Sequence, residues 1–394
     1  MFVYLAGIGN PPQMYYDEAY YVSSARALLS GQTNPNPEAP PLGKLLIAGG
    51  IELFGDNPRG WRAPSAICGA LTIVAVFAWT QILLGDLGLA LTAAALAFFS
   101  NFTFVMSRVA MMDASLVAFV MWSLVAYTAA LRLDLSAAKR RILLCSAGVL
   151  AGLATACKWN GVDTLAVLLL MSFAWPWLAK KMNTDEQGSL AQYARGAREI
   201  GMGWVLAALL FFPAAAYSLT YWPLCRSMHL RFGMRELVKM NIYIWHFHRA
   251  VVSNPAITSA WYTWPLKLEP QRALSYLLGN PVVMWGGLLA ILFCVWRLRK
   301  SFGAAEAFVT ILYAANVLQW AVTPQNGILY YYYYPAAMIL CVALAVGFRS
   351  APERVFGVRL RLILLLGAGA IFLWCLPRMA HLGAPWDCAL GCWS

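Results

Sequence analysis

The sequence predicts an all-α polytopic membrane protein, and three observations support this fold class. Hydrophobic residues make up 61% of the 394 residues and charged residues only 12%, and the mean hydropathy is +0.62. So little polar surface cannot cover a water-soluble globule of this size. The apolar residues also gather in runs of roughly 16 to 23, the length with which a helix crosses the bilayer core.

The runs predict about ten spans within one transmembrane domain, 1–394. They lie near 63–84, 87–106, 110–131, 142–157, 161–179, 201–219, 281–297, 304–322, 330–348 and 360–377. The other parts of the domain are a first loop (1–60), a long segment (220–280) and a tail (378–394). Residues 1–8, MFVYLAGI, have the composition of the end of an earlier span, so about eleven spans are expected in a complete chain.

The distribution of Lys and Arg predicts the orientation. Four basic connections, 132–141, 180–200, 297–300 and 349–361, fall on one side of the membrane if the spans alternate. By the positive-inside rule that side is cytoplasmic. The first loop, the 220–280 segment and the tail are then external, which predicts a cell (inner) membrane protein with its active site on the external, periplasmic side.

Several classes of function have no support in the sequence. The net charge of +12 does not indicate a nucleic-acid partner, because the basic residues lie in loops between spans rather than on one solvated face. There is no Gly-rich phosphate loop, HExxH motif or paired CxxC motif. His246 and His248 are two residues apart, which points them away from each other on a helix, so no metal is predicted. Cys388 and Cys392 either pair or remain free thiols.

The most polar stretch, Tyr15 to Lys44, contains adjacent carboxylates at Asp17 and Glu18. Charges next to the hydrocarbon boundary are costly to desolvate, so they need partners or a function. Neighbouring side chains on a helix diverge, so one carboxylate, Asp17, is the candidate catalytic base. The alternative is that both acids stabilise the N-terminus of a helix.

Cations on the predicted external side are candidates for binding a phosphate, because guanidinium and ammonium groups bind phosphate oxygens. Arg108 precedes Asp113 by five residues, and the two either act on a substrate or form a salt bridge. Lys158 lies in a short turn that does not require a lysine. Lys44 is a further candidate.

Aromatic residues mark the rest of the external side. The stretch 235–249 alternates apolar and basic residues at helical spacing, which predicts a helix in the interface plane. Trp261, Tyr262 and Trp264 follow, and they form either an aromatic belt or a wall against the substrate. Five consecutive tyrosines, Tyr330–Tyr334, circle the start of a later helix, so some of them must point inward.

Together, these motifs resemble those of the protein O-mannosyltransferase family, in the same order along nearly the whole chain. They are Asp17-Glu18, PPLGK (Pro40–Lys44), Arg108 with Asp113, KWNG (Lys158–Gly161), WYTWPL (Trp261–Leu266) and the Tyr-rich run that ends at Pro335. The family usually has His before PPLGK, where this chain has Ala39 preceded by Glu38. An acid near this position is similar to relatives that glycosylate lipid A. The 220–280 segment is too short for the β-trefoil insertion of eukaryotic members, so the resemblance is to a prokaryotic-type member.

The resemblance implies a GT-C fold and an inverting transfer of a sugar, mannose, from a polyprenyl-phosphate donor. Acceptors would be Ser and Thr hydroxyls of exported proteins, or alternatively a lipid or cell-wall glycan. It implies that Asp17 is the base and that Arg108 contacts the lipid phosphate, with no cofactor. A transporter of polyprenyl-linked sugars is the alternative from another class, although the sequence lacks the internal symmetry typical of one. The predicted substrate contacts are Glu18, Glu38, Lys44, Arg108, Asp113, Lys158, Trp261 and Trp264.

Overall fold

The computed structural model describes residues 2–182, 188–250, 258–270, 277–322, 328–349 and 354–380, so Cys388, Cys392 and most of the predicted tail lie outside the described residues. Eighteen α-helices occur in these ranges. In order they are α1 (Phe2–Leu5), α2 (Glu18–Ser30), α3 (Leu42–Phe54), α4 (Pro58–Leu84), α5 (Leu87–Phe98), α6 (Asn101–Met106), α7 (Asp113–Arg132), α8 (Ala137–Cys157), α9 (Gly161–Lys181), α10 (Ser189–Ile200), α11 (Met202–Leu206), α12 (Phe212–Leu219), α13 (Tyr221–Ser227), α14 (Met234–Ala250), α15 (Pro281–Lys300), α16 (Ala304–Val322), α17 (Tyr334–Arg349) and α18 (Arg354–Met379).

Within the described ranges, nine helical stretches are long and apolar enough to cross a membrane. Seven lie in the single helices α4, α7, α8, α9, α15, α16 and α18. The eighth, Met202–Ser227, joins α11 to α13 through a π-helical turn, and the ninth, Tyr330–Arg349, joins a 3-10 turn to α17. The chain is therefore a multi-pass integral membrane protein, as the sequence predicts.

One predicted span, 87–106, is interrupted in the structure. Its first part forms the 12-residue helix α5, and the six-residue helix α6 follows after a break at Phe99 and Ser100. Ser100 has an extended backbone, and Asn101 donates a hydrogen bond to the Leu278 carbonyl. Polar residues after the break, including Thr103 and Ser107, are buried inside the protein. Hydropathy alone does not predict this burial.

Capping residues explain where several helices begin and end. Asn57 accepts hydrogen bonds from the backbone N–H groups of Arg59 and Gly60, and Pro58 occupies the first position of α4. Gly85 ends the same helix with φ of 69°, a left-handed conformation that glycine adopts without strain. These signals fix the long helix that follows the first loop.

Two glycines allow close helix packing. Gly148 and Gly152 on α8 lie against Ala208 and Pro213 of the Met202–Ser227 span, where a side-chain carbon would collide with the Ala208 and Pro213 carbonyl oxygens. Two glycines four residues apart commonly lie at an interface where two membrane helices pack closely.

Two central stretches are more deeply buried than the other spans. In both α7 and Tyr330–Arg349, 83% of the spanning window is buried inside the protein, against 50% or less in the other spans. Asp113 begins α7, and Tyr331 and Tyr332 lie at the start of Tyr330–Arg349. The predicted helix near 235–249 is confirmed as α14, whose exposed apolar side chains include Met234, Ile242 and Trp245.

Candidate active site

A cavity of about 370 Å³ lies where the first loop meets the ends of the central helices. Several parts of the chain form it: the first loop, Met112 before α7, the turn after α8, the last turns of α14, the end of α16 and the start of Tyr330–Arg349. Its lining residues are Asp17, Tyr20, Tyr21, Asn36, Glu38, Ala39, Pro40, Met112, Lys158, Trp159, Asn160, Ile244, Phe247, His248, Trp320, Leu329, Tyr331 and Tyr332.

Asp17 contributes a carboxylate to this cavity. It lies at the N-terminus of α2, and its side chain makes no capping hydrogen bond. The Tyr331 hydroxyl donates a hydrogen bond to Asp17 Oδ2 at 3.2 Å. Burial raises the pKa of Asp17, while the charge of Lys158 and the Tyr331 hydrogen bond act in the opposite direction. A carboxylate with a raised pKa is a better proton acceptor.

Glu18 points away from the cavity, as expected for neighbouring side chains on a helix. Its carboxylate is fully buried and forms a two-pronged ion pair with Arg62, with both N–O distances 2.7 Å. It also accepts a hydrogen bond from the backbone N–H of Ala110 at 2.8 Å. The predicted substrate contact by Glu18 is therefore replaced by a structural role, because Arg62 and the backbone already occupy its oxygens.

Lys158 is the lysine that lines the cavity. Its ammonium group donates to Asp113 Oδ1 at 3.0 Å and lies 3.7 Å from the centre of the Tyr332 ring. Burial would lower the pKa of Lys158, but Asp113, Tyr332 and Asp17 outweigh burial and raise it, so the group stays charged. Asp113 acts through Lys158 and does not line the cavity itself.

The predicted phosphate contact Arg108 does not line the cavity that contains Asp17. The Arg108 guanidinium donates to the carbonyls of Tyr4 and Ala6 and lies over the Phe104 ring. The alternative Arg108–Asp113 salt bridge is also wrong, because Asp113 pairs with Lys158. The charge of Arg108 and its spacing from Asp113 do not predict the direction in which its side chain points after α6.

Lys44 is likewise withdrawn from the cavity surface. It is fully buried and donates to the carbonyls of Asn36 at 2.5 Å and Ala39 at 2.9 Å. Burial lowers the pKa of Lys44 to about 7. Its role in this geometry is to hold the turn that presents Asn36 and Glu38 to the cavity, rather than to touch a substrate there.

His248 is a cavity residue that the sequence analysis did not select. Its Nε2 lies 3.0 Å from the Glu38 carbonyl oxygen, and since a carbonyl only accepts, Nε2 carries the hydrogen. Burial lowers the pKa of His248, which favours the neutral ring. This contact joins α14 to the turn that contains Glu38. The aromatic and basic composition of 235–249 predicts a helix, but it does not identify His248 as a cavity residue.

Only some of the predicted aromatic residues line the cavity. Tyr331 and Tyr332 line the cavity, which fulfils the expectation that part of the tyrosine run points inward. Trp264 is fully buried behind the wall, 5.8 Å between ring centres from Trp320, which itself lines the cavity. Trp261 packs beside Tyr262 outside the lining residues. Trp264 thus supports a substrate wall without forming its surface.

Comparisons with known proteins agree with this architecture. The family model described as dolichyl-phosphate-mannose-protein mannosyltransferase matches residues 1–229. A polyprenol-phosphate-mannose–protein mannosyltransferase of Mycobacterium tuberculosis is 24% identical over 404 residues, which cover 86% of this chain and 75% of the relative.

Two solved structures show the same fold. The S. cerevisiae protein O-mannosyltransferase Pmt1–Pmt2 complex bound to the sugar donor has a TM-score of 0.79 at 13% identity, over 96% of this chain and 88% of that chain. ArnT from Cupriavidus metallidurans bound to undecaprenyl phosphate has a TM-score of 0.65 at 18% identity, over 97% and 64%. The expected GT-C fold is confirmed.

The buried ion pair between Glu18 and Arg62 generates a stability prediction. Removing one partner leaves an uncompensated buried charge, so Glu18→Gln or Arg62→Met should each lower the free energy of unfolding by about 3–5 kcal/mol. Thermal unfolding in detergent measures this. The double variant should recover part of the loss, because it buries no unpaired charge. A double variant that is as unstable as the sum of the two single variants would contradict the coupling.

Proposed function

Because the chain belongs to the dolichyl-phosphate-mannose-protein mannosyltransferase family, we propose that it transfers mannose from a polyprenyl-phosphate donor to Ser and Thr hydroxyls of exported proteins. One observation carries the assignment of its chemistry: the carboxylate of Asp17 and the ammonium of Lys158 line one cavity. The former can accept a proton, and the latter can stabilise a departing phosphate.

Lys158 is proposed to bind the donor phosphate. A lysine ammonium has three N–H donors, and one of them is used by Asp113, so others can reach phosphate oxygens. A fixed cation beside the leaving group stabilises the charge that grows on it as the bond to the sugar breaks. Neither a general acid nor a metal is needed for this leaving group.

Asp17 is proposed to act as the base. The acceptor oxygen forms a bond to the anomeric carbon of mannose while the bond from that carbon to the phosphate oxygen breaks. The hydroxyl proton passes to Asp17, and the bonding electrons leave with the polyprenyl phosphate. Attack on the face opposite the phosphate inverts the anomeric configuration. Tyr331 holds the Asp17 carboxylate in place.

The cavity is proposed to open on the external, periplasmic side of the cell (inner) membrane. The support is the opposite end of the two central stretches that begin beside the cavity: α7 and Tyr330–Arg349 each carry arginine in the last turn, at Arg132 and Arg349. Basic residues concentrate on the cytoplasmic side of membrane proteins.

The main prediction is that Asp17→Asn lowers kcat for transfer by about 10²- to 10⁴-fold, the usual contribution of a positioned base. Transfer of labelled mannose from purified donor to a secreted acceptor protein in detergent measures this. Donor binding, measured by isothermal titration calorimetry, should be unchanged. Asp56→Asn is the matched control, because Asp56 pairs with Arg26 away from the cavity.

The same assay separates the alternatives. Glycolipid in place of protein tests the lipid or cell-wall acceptor, and a covalent product formed in detergent, with no membrane to cross, excludes simple transport. Substantial turnover by Asp17→Asn would refute the base assignment.

The pH dependence gives an independent prediction. Transfer requires ionised Asp17, so kcat/KM should fall as the pH drops through its pKa, at a pH above the ordinary aspartate value of about 3.9. Tyr331→Phe removes a hydrogen bond that favours the carboxylate, so the acid limb should move to higher pH. Tyr333→Phe is the control, because the Tyr333 hydroxyl bonds to Tyr313. Equal profiles for both variants would contradict the contact.

A further inference from the structure

A second cavity, of about 410 Å³, lies at the opposite ends of helices that reach the first cavity. Three helical stretches connect the two cavities. α7 runs from Asp113, beside Lys158, to Arg132 in the second cavity, and Tyr330–Arg349 runs from Tyr331 to Arg349. α16 has Trp320 at the active-site end and Glu306 at the other. A 20-residue helix is about 30 Å long, so the second cavity is a separate site.

The second cavity carries an excess of positive charge. Arg132, Arg297 and Arg349 line it, and among its described lining residues Glu306 supplies the carboxylate. Arg297 Nη2 lies 3.9 Å from Glu306 Oε1. The Nε of Arg297 is buried and has no hydrogen-bond partner among the residues that the structure describes. Among the described lining residues, one carboxylate therefore accompanies three guanidinium groups.

Membrane orientation accounts for basic residues on this face, but not for their convergence on a cavity. Arg299 and Lys300, in the same last turn as Arg297, lie outside it, whereas Arg349, although exposed, is among the lining residues. Arg132 is fixed in place, because it donates to the carbonyls of Ile82 and Leu83. Guanidinium groups that line one cavity repel each other, and an anion between them offsets that repulsion.

We infer that this second cavity binds a phosphate-bearing anion at the membrane face opposite the active site. Guanidinium groups bind phosphate oxygens with paired hydrogen bonds, and the volume lies in the range of about 300–1,000 Å³ that is usual for small-ligand sites. The phosphate belongs to an anionic lipid headgroup or to a soluble phosphate. The site does not depend on the proposed transfer reaction.

The test measures ligand-induced shifts in Tm of the purified full chain, because a ligand that binds the folded state stabilises it. The probes are dihexanoyl phosphatidic acid, dihexanoyl phosphatidylcholine and inorganic phosphate. Wild type should be stabilised by the phosphatidic acid and not by the zwitterionic lipid. Arg349→Gln should weaken apparent affinity at least tenfold, about the effect of losing one charged contact. Arg299→Gln, with the same charge loss on the same face, should bind like wild type.

Two further comparisons identify the source of the phosphate group and the cavity that binds it. A shift with inorganic phosphate that Arg349→Gln removes identifies phosphate itself as the recognised group, and a shift with phosphatidic acid alone identifies a lipid headgroup. Either result supports the site. Asp17→Asn should retain the shift, so a failure of the proposed reaction is told apart from a failure here. The inference is overturned if wild type shows no shift in Tm, if Arg349→Gln and Arg299→Gln lose the same affinity, or if Lys158→Met abolishes the shift.

Discussion

The buried ion pair between Arg62 and Glu18 is the interaction on which the active site depends. All five N–H donors of Arg62 are used: two on the Glu18 carboxylate and three on the carbonyls of Ile8, Pro11 and Gln13. One side chain of α4 thereby fastens the N-terminal segment to the membrane helices. Since Glu18 is fixed, its neighbour Asp17 is directed into the cavity. A charge pair with no contact to the cavity sets the position of the proposed base.

A second pair holds the proposed cation. Asp113 begins the central helix α7 and pairs with Lys158 from the turn after α8. The ion pair and the Tyr332 ring together keep a buried ammonium charged beside the Asp17 carboxylate. Asp17 and Lys158, far apart in the sequence, are thus positioned in similar ways. In each case an ion pair with the membrane helices holds the charge that is proposed to contact the substrate, or its neighbour.

The sequence predicted the fold class and most spans, because hydropathy is a local property. It also selected Asp17 and Lys158 among its candidate residues, and the structure places both in one cavity. It could not predict which charges turn inward. Arg108 and Lys44 satisfy backbone carbonyls instead of facing the cavity, and only the fold decides that. His248 enters the cavity from α14 and contacts a residue 210 positions away. The interruption after α5 also depends on distant polar partners, which hydropathy does not include.

The central claim is that Asp17 and Lys158 act on opposite sides of one bound donor. A structure of the Asp17→Asn chain with polyprenyl-phosphate-mannose tests it most directly. A phosphate oxygen should lie about 2.7–3.2 Å from Lys158 Nζ, with residue 17 facing the opposite side of the sugar ring. A donor whose phosphate is bound by Arg108, with Lys158 still occupied only by Asp113, would contradict the account.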